Sequence, residues 1–221
     1  FELPSSSSVL NLPPGTAVAV RATINGTVIT RHYSPISVSN TRGSVSLYLK
    51  SLPDRGTMSR HLYFLRPGDT LEFSGPTYFP KMRYAENGVR LYPSKMVMLA
   101  GGSGVAPMIP MINDVIHRGV DCKMILLWGV RSHRDLVFRR YLDSISHEHP
   151  DRFQVIYCVD AIMEAIRAEH LHVGEIDSNR LSESLLTSFP PTEPDLNIVI
   201  CGPQKMSVST LASLASLGYA N

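Results

Sequence analysis

Cysteine is scarce in this chain. Only Cys122, Cys158 and Cys201 occur in 221 residues, and they are widely scattered. That excludes a disulfide framework and a zinc site, and a reducing compartment is the simplest setting. Long hydrophobic runs are missing too. No apolar stretch reaches the roughly 20 residues of a membrane-spanning helix, and no secretory signal opens the chain. Nor does charge of one sign dominate: 21 basic residues face 19 acidic ones without a long basic run. There is thus no broad field to draw in nucleic acid. The histidines form no metal cluster, and His147-Glu148-His149 lies where a helix runs out toward Pro150, as a solvated end. No Ser, His and Asp arrangement argues for a hydrolase, and there are no internal repeats. The chain begins at Phe1 rather than Met, which reads as an N-terminus removed or left out, with a membrane anchor that could have gone with it.

What is present suits a packed core: 43% apolar and 18% charged residues. The length allows one large domain or two of roughly 100 residues each. Two halves differ in pattern. Up to about residue 80 the chain reads as short strands at 17–21, 27–31, 44–49 and 69–73, β-branched or alternating with period two. Asn25-Gly26 marks a hairpin, and the turn Arg66-Pro67-Gly68-Asp69 opens the last of these strands. One short helix is expected at 58–65. This grammar predicts a small antiparallel barrel or sandwich. From Lys95 on, apolar runs at 96–99, 124–128, 155–159 and 198–201 alternate with helical segments at 106–118, 134–146, 180–188 and 204–217. That alternation predicts a parallel, doubly wound sheet covered on both faces. The boundary falls in 78–94, dividing the chain into 1–88 and 89–221. Residues 161–179 read as a loop.

Gly101-Gly102-Ser103-Gly104-Val105-Ala106-Pro107-Met108 follows a strand and opens a helix. Glycines there let a ligand approach the backbone, and the helix start favours a phosphate. Pro107 suits a first helical turn. This loop says nucleotide or phosphate, not which one. In Arg31-His32-Tyr33-Ser34-Pro35, Arg31 and Tyr33 share a strand face. An Arg can clamp a pyrophosphate and a Tyr can stack on a heterocycle; taken alone, the same residues also suit a strand edge. Gly56-Thr57-Met58-Ser59 is an ordinary helix cap that can also bind an anion. Cys201-Gly202-Pro203 ends the last parallel strand, on the edge where open α/β sheets bind ligands. Asp160 ends the third, where an acid can bond a ribose hydroxyl or simply start a loop.

In this order and spacing, Arg-x-Tyr-Ser-Pro, Gly-x-Met-Ser, Gly75-Pro76, Gly-Gly-Ser-Gly-x-Ala-Pro-Met and Cys-Gly-Pro-x-x-Met resemble the NADH–cytochrome b5 reductase branch of the ferredoxin reductase superfamily. The resemblance covers nearly the whole chain. It implies a Greek-key antiparallel β-barrel that binds FAD, then an α/β doubly wound domain that binds the nicotinamide nucleotide, with the site at their junction. It implies that Arg31 holds the FAD pyrophosphate and that Tyr33 packs on the flavin. Ser34 would bond near the hydride-accepting nitrogen, while Gly56, Met58 and Ser59 complete the phosphate site. Lys50, at the end of the 44–49 strand, would bind the nicotinamide nucleotide. Gly101, Gly102, Ser103 and Gly104, with Pro107, would line the nicotinamide and its phosphates. Cys201, with Gly202, Pro203 and Met206, would lie near the nicotinamide ring. Ser34 and Cys201 are the expected catalytic residues.

The chain departs from the family in places. Thr77-Tyr78 follows Gly75-Pro76 where a Gly is usual, and Ser103 replaces the commoner Thr but keeps the hydroxyl. The barrel's opening strand has no counterpart before Phe1, and Gly218–Asn221 lacks the family's terminal aromatic. Both ends read as incomplete. Asp160 favours NADH by repelling a 2′-phosphate, whereas Arg131 and Arg134 could bind one. The resemblance further implies a small haem protein, such as cytochrome b5, as electron acceptor. Arg42, Lys81 and Arg83 are basic residues that could meet it. The setting it implies is cytoplasmic, or the cytoplasmic face of an intracellular membrane. Two alternatives remain: a reductase module of a larger flavoprotein of nitrate reductase or flavohaemoglobin type, and a non-catalytic nucleotide-binding module.

Overall fold

The computed structural model describes all residues except 39, 51–56, 79–82, 85–89, 162–169 and 220–221. They divide into two compact units, Phe1–Met82 with Ala106–Asp114, and Arg83–Val105 with Val115–Asn221.

The first unit grows from a hairpin. β1 (Ala17–Ile24) and β2 (Thr27–Tyr33) turn at Asn25-Gly26, whose φ angles of 50° and 75° match the left-handed pair that suits twisted strands. β3 (Glu72–Tyr78) pairs with the other side of β1, in the order β2-β1-β3. Helix α1 (Thr57–Phe64) lays Met58 and Leu62 on Val18 and Val20. Tyr33, Leu47, Leu71 and Phe73 pack around that cluster.

Two strands differ from expectation, each for a local reason. Residues 44–49 form no continuous strand and make only isolated bridges, Ser44 to Glu2 and Leu47 to Pro35. Their backbone is shared among three neighbours: Val45 N–H donates to Phe1 O, Ser46 O accepts from Ile36, and Ser46 N–H donates to Ser37 Oγ. Lys50 therefore ends no strand. The strand expected at 69–73 starts at Glu72 because Asp69 is used up by the turn before it. Asp69 N–H donates to Arg66 O, and its carboxylate accepts from Arg66 N–H at 2.7 Å.

In the second unit β4 (Arg83–Tyr84) and β5 (Arg90–Leu91) make a short antiparallel pair. Five parallel strands follow: β6 (Lys95–Gly101), β7 (Lys123–Ser132), β8 (Phe153–Ala161), β9 (Leu171–Val173) and β10 (Leu196–Cys201), in the order β10-β6-β7-β8-β9. Their side chains alternate between two cores. Val97, Leu99, Ile125, Leu127 and Cys158 face Leu181 and Leu185 of α4 (Ser178–Leu185) and Leu214 of α5 (Gln204–Ser216). Met98, Leu126, Trp128, Val155 and Tyr157 take the other face, and α3 (Arg139–Glu148) packs on β8. α2 (Met108–His117) links β6 to β7.

The doubly wound expectation is met, with three refinements. β9 lies inside the 161–179 stretch read as a loop; it is three residues long, too short to show periodicity. The helix expected at 134–146 begins at Arg139, because Ser132 Oγ accepts Arg134 N–H and winds His133–Asp135 into a separate 3₁₀ turn. The helix expected from 106 begins at Met108, after a second 3₁₀ turn, Gly102–Val105.

Candidate functional site

In the second unit the connections from β6 run to one side, through β7 and β8, while β10 returns on the other. The carboxyl ends of β6 and β10 thus flank the topological switch point, where open α/β sheets bind ligands. Ala100 is level with Cys201 across this pair. The glycine turn and the Cys-Gly-Pro segment meet there, and the glycines do different jobs. A Cβ on Gly104 would run into the carbonyl of Cys201 and come within 2.8 Å of Gly202 N. One on Gly101 would meet Met206 Sδ and lie 2.9 Å from Pro203 Cδ. These two glycines let the turn close on β10. Gly102 is different: its φ is 55°, and a Cβ there would meet nothing within 4 Å. Gly102 and Ser103 form the open side of the turn, with Ser103 exposed.

Pro107 is buried directly before α2, and Pro110 sits in that helix's first turn, where a missing N–H costs no hydrogen bond. Cys201 is half-buried, and burial pushes its thiol pKa up. It is therefore a neutral thiol at physiological pH, suited to contact rather than to proton transfer. Gly202 is half-buried, Pro203 caps α5, and Met206 packs against the core beneath it. Asp160, on the same sheet edge, is exposed. Arg131, near the carboxyl end of β7, and Arg134, in the 3₁₀ turn after it, are exposed as well.

In the first unit Arg31 and Tyr33 lie on one face of β2. Arg31 is exposed, with Nη1 donating to Thr30 O at 2.8 Å. Tyr33 is half-buried against the core; burial raises its phenol pKa, and the nearby Arg31 charge opposes that rise. Its hydroxyl stays protonated at neutral pH. Ser34 follows, half-buried, before buried Pro35. α1 packs on β1 and β2, with Met58 in the core cluster that Tyr33 borders and Ser59 half-buried next to it in the helix. Gly56 lies outside the described residues, as do Lys81 and the side chain of Arg83. Lys50 and Arg42 are exposed.

Trp128 was not singled out in the sequence. It is fully buried, and its Nε1–H donates to Gly102 O at 2.9 Å. The available signal was a tryptophan ending an apolar run, whose N–H must find an acceptor when buried.

The family described as "Oxidoreductase FAD-binding domain" matches residues 1–81, and "Oxidoreductase NAD-binding domain" matches residues 98–211. The curated "NADH-cytochrome b5 reductase 2" of Danio rerio is 31% identical over 240 residues, covering 99% of this chain and 75% of that protein. "NADH-cytochrome b5 reductase 1" of Kluyveromyces lactis is 33% identical over 221 residues, covering 99% and 74%. The chain belongs to the NADH–cytochrome b5 reductase family. Among solved structures, this reductase is similar to the cytochrome b5 reductase domain of Ulva prolifera nitrate reductase, with TM-score 0.84, 24% identity, and coverage of 100% of this chain and 87% of that one. The flavohaem-like FAD/NAD-binding domain of Vibrio cholerae nitric oxide dioxygenase gives TM-score 0.76 at 19% identity, covering 100% and 86%. Both likenesses are of fold.

The reductase's thiols yield a direct test. Burial raises the pKa of Cys122 to about 12 and of Cys158 to about 11. A raised pKa depletes the reactive thiolate at neutral pH. With iodoacetamide at pH 8, Cys122 and Cys158 are expected to stay unlabelled while Cys201 labels slowly; urea should open all three. Mass spectrometry reads the sites, and fast native labelling of Cys122 or Cys158 would contradict their burial.

Proposed function

We propose that this chain is an FAD-dependent NADH reductase that passes electrons to a small haem protein of the cytochrome b5 type. The observation that carries this reading is the glycine turn closing on Cys201–Gly202 at the switch point, with Gly102 open, in a chain that also matches an FAD-binding family over residues 1–81. A cradle that only glycine allows, at a strand end, fits a dinucleotide.

FAD, when bound, accepts a hydride and releases its electrons singly. Arg31 holds the pyrophosphate of FAD through its guanidinium, with the start of α1 (Gly56, Met58, Ser59) completing the phosphate site. Tyr33 presents its ring to the flavin, and Ser34 supplies a hydroxyl donor that is not an acid. Gly101, Gly102, Ser103 and Gly104 of the second unit, with Pro107 shortly after them in the chain, shape the nucleotide turn. Cys201, Gly202, Pro203 and Met206 form its wall and exclude water from the nicotinamide. Lys50 contributes a positive charge toward the nicotinamide nucleotide. Residues 1–88 serve FAD and 89–221 serve NADH. The relatives above 30% identity bear the reductase name, whereas the nitrate reductase and dioxygenase likenesses are of fold. That favours a cytochrome b5-type acceptor over a module of another flavoprotein. A reducing compartment, cytoplasmic or on the cytoplasmic face of a membrane, suits the three free cysteines. No helix among the described residues is long and apolar enough to cross a membrane.

The test is an absorbance spectrum of the purified protein with FAD, before and after NADH. Flavin bands that bleach on NADH are expected. No bound flavin, or flavin that stays oxidised, would sink the reading and favour a non-catalytic module. With cytochrome b5 as acceptor, the rate is expected to fall as salt rises, since basic surface residues such as Arg42 would steer an acidic partner. A flat salt response would remove that steering.

Coenzyme choice has its own expected result. Asp160 repels a 2′-phosphate, so Asp160→Ala should raise kcat/KM for NADPH by about tenfold, the size of one charge interaction near a surface. Arg131 and Arg134 would then help retain it. An unchanged NADPH/NADH ratio would take coenzyme discrimination away from Asp160.

A further inference from the structure

Trp128 is the only tryptophan of the chain. It stands beside Ala100 across β6 and β7, one residue before Gly129, which pairs with Gly101. Its indole packs between Phe138 and Tyr157, with ring centres 6.2 and 6.3 Å away. Tyr157 is itself tied to α3, its hydroxyl donating to Asp143 Oδ1 at 2.7 Å. The indole is thus fixed from behind, and its one polar atom reaches forward to Gly102 O at 2.9 Å. That carbonyl belongs to the single residue of the turn that combines positive φ with open space.

In a trans peptide the carbonyl and the following N–H point in opposite directions. Holding Gly102 O against the sheet therefore aims the Ser103 N–H outward. The first N–H groups of a helical turn find no carbonyl within it, so they are available to an anion. Gly101 and Gly104 fix the flanks of the turn on Pro203, Met206 and Cys201, and the Trp128 Nε1–H adds a side-chain donor that holds the Gly102 carbonyl from the sheet.

We infer that Trp128 is a positioning residue for the nicotinamide nucleotide, orienting the Gly102–Ser103 peptide so that its N–H meets a phosphate of the bound dinucleotide. The inference rests on the reading of the second unit as the NADH-binding unit. It predicts that the indole N–H matters to NAD⁺ affinity, not only to packing.

The experiment uses FAD-loaded holoenzyme and measures NAD⁺ binding by titration calorimetry, with KM and kcat for NADH alongside. Two variants are compared: Trp128→Phe, and replacement of Trp128 by 3-benzothienylalanine, its isostere with sulfur in place of N–H. Flavin content and melting temperature should stay near wild type in the isostere. NAD⁺ affinity should weaken about tenfold, the scale of one misdirected hydrogen bond to a charged group. KM for NADH should rise while kcat falls by a smaller factor. NAD⁺ affinity within about twofold of wild type in the isostere would overturn the inference, whatever Trp128→Phe does to folding. If wild-type holoenzyme itself binds no NAD⁺, it is the NADH reading that fails.

Discussion

Gly104→Ala is expected to slow reduction by NADH about a hundredfold while FAD stays bound. The new Cβ would fall on the Cys201 carbonyl and within 2.8 Å of Gly202 N. Those are backbone atoms of a strand paired along its length with β6. They cannot swing aside as a side chain can. Either β10 or the turn must move, and overpacking of this kind costs about 1–3 kcal/mol or more. A displacement of about 1 Å at a site that aligns reacting groups can lower the rate by roughly a hundredfold. The neighbouring glycines supply internal controls. At Gly101 the obstacle is largely the flexible Met206 side chain, so Gly101→Ala should be milder. At Gly102 nothing blocks a methyl group, and the cost is that of a left-handed residue, roughly 1 kcal/mol. The expected order of damage to stability and NADH reduction is 104, then 101, then 102. Melting curves and stopped-flow bleaching of the flavin measure both. A Gly104→Ala enzyme reduced at half the wild-type rate would show that the turn does not depend on closing against β10.

That ordering marks a limit of sequence reading. Gly-Gly-Ser-Gly after a strand announces a nucleotide turn, but the motif treats its glycines alike. Two of them make room for protein and one borders open space, and the distinction depends on β10, about a hundred positions away in the chain. Trp128 escaped for the same reason, since its partner is the carbonyl of Gly102. Features settled locally were legible. Asn25-Gly26 dictates its hairpin, and Met96–Leu99 and Met124–Trp128 carry apolar residues on both faces because both faces are covered. Where a segment's fate depends on several distant neighbours, as at 44–49, pattern alone misleads. Ser44, Val45 and Leu47 alternate correctly for a strand, yet their backbone is divided among Phe1, Glu2 and residues 35–37. β9 was invisible because three residues pair to β8 without enough length to show a period. Among candidate site residues, the places of Arg31 and Tyr33 within β2, of Cys201 at the end of β10 and of the glycine turn after β6 were legible because each strand's face or end is set by its own sequence.

The flavin half has an equally decisive test in Arg31. Its side chain is exposed, and its guanidinium bonds locally, Nη1 donating to its own neighbour's carbonyl at Thr30. The backbone of Arg31 pairs with Val20 whatever the side chain. Arg31→Ala should therefore leave the melting temperature of the flavin-free protein unchanged. FAD affinity, in contrast, should fall about a hundredfold, as expected when a bidentate charge-assisted contact of roughly 3 kcal/mol is lost. Arg31→Lys keeps the charge but not the planar fork, so it should fall in between. Tyr33→Ala is less clean: it removes a ring that packs on the Val18 and Val20 core, and would lower stability and flavin binding together. Flavin absorbance after extensive dialysis, set beside melting curves, separates these cases. An Arg31→Ala protein that keeps one FAD per chain through dialysis would show that the pyrophosphate is held elsewhere, and the assignment of β2 as the flavin strand would fall with it.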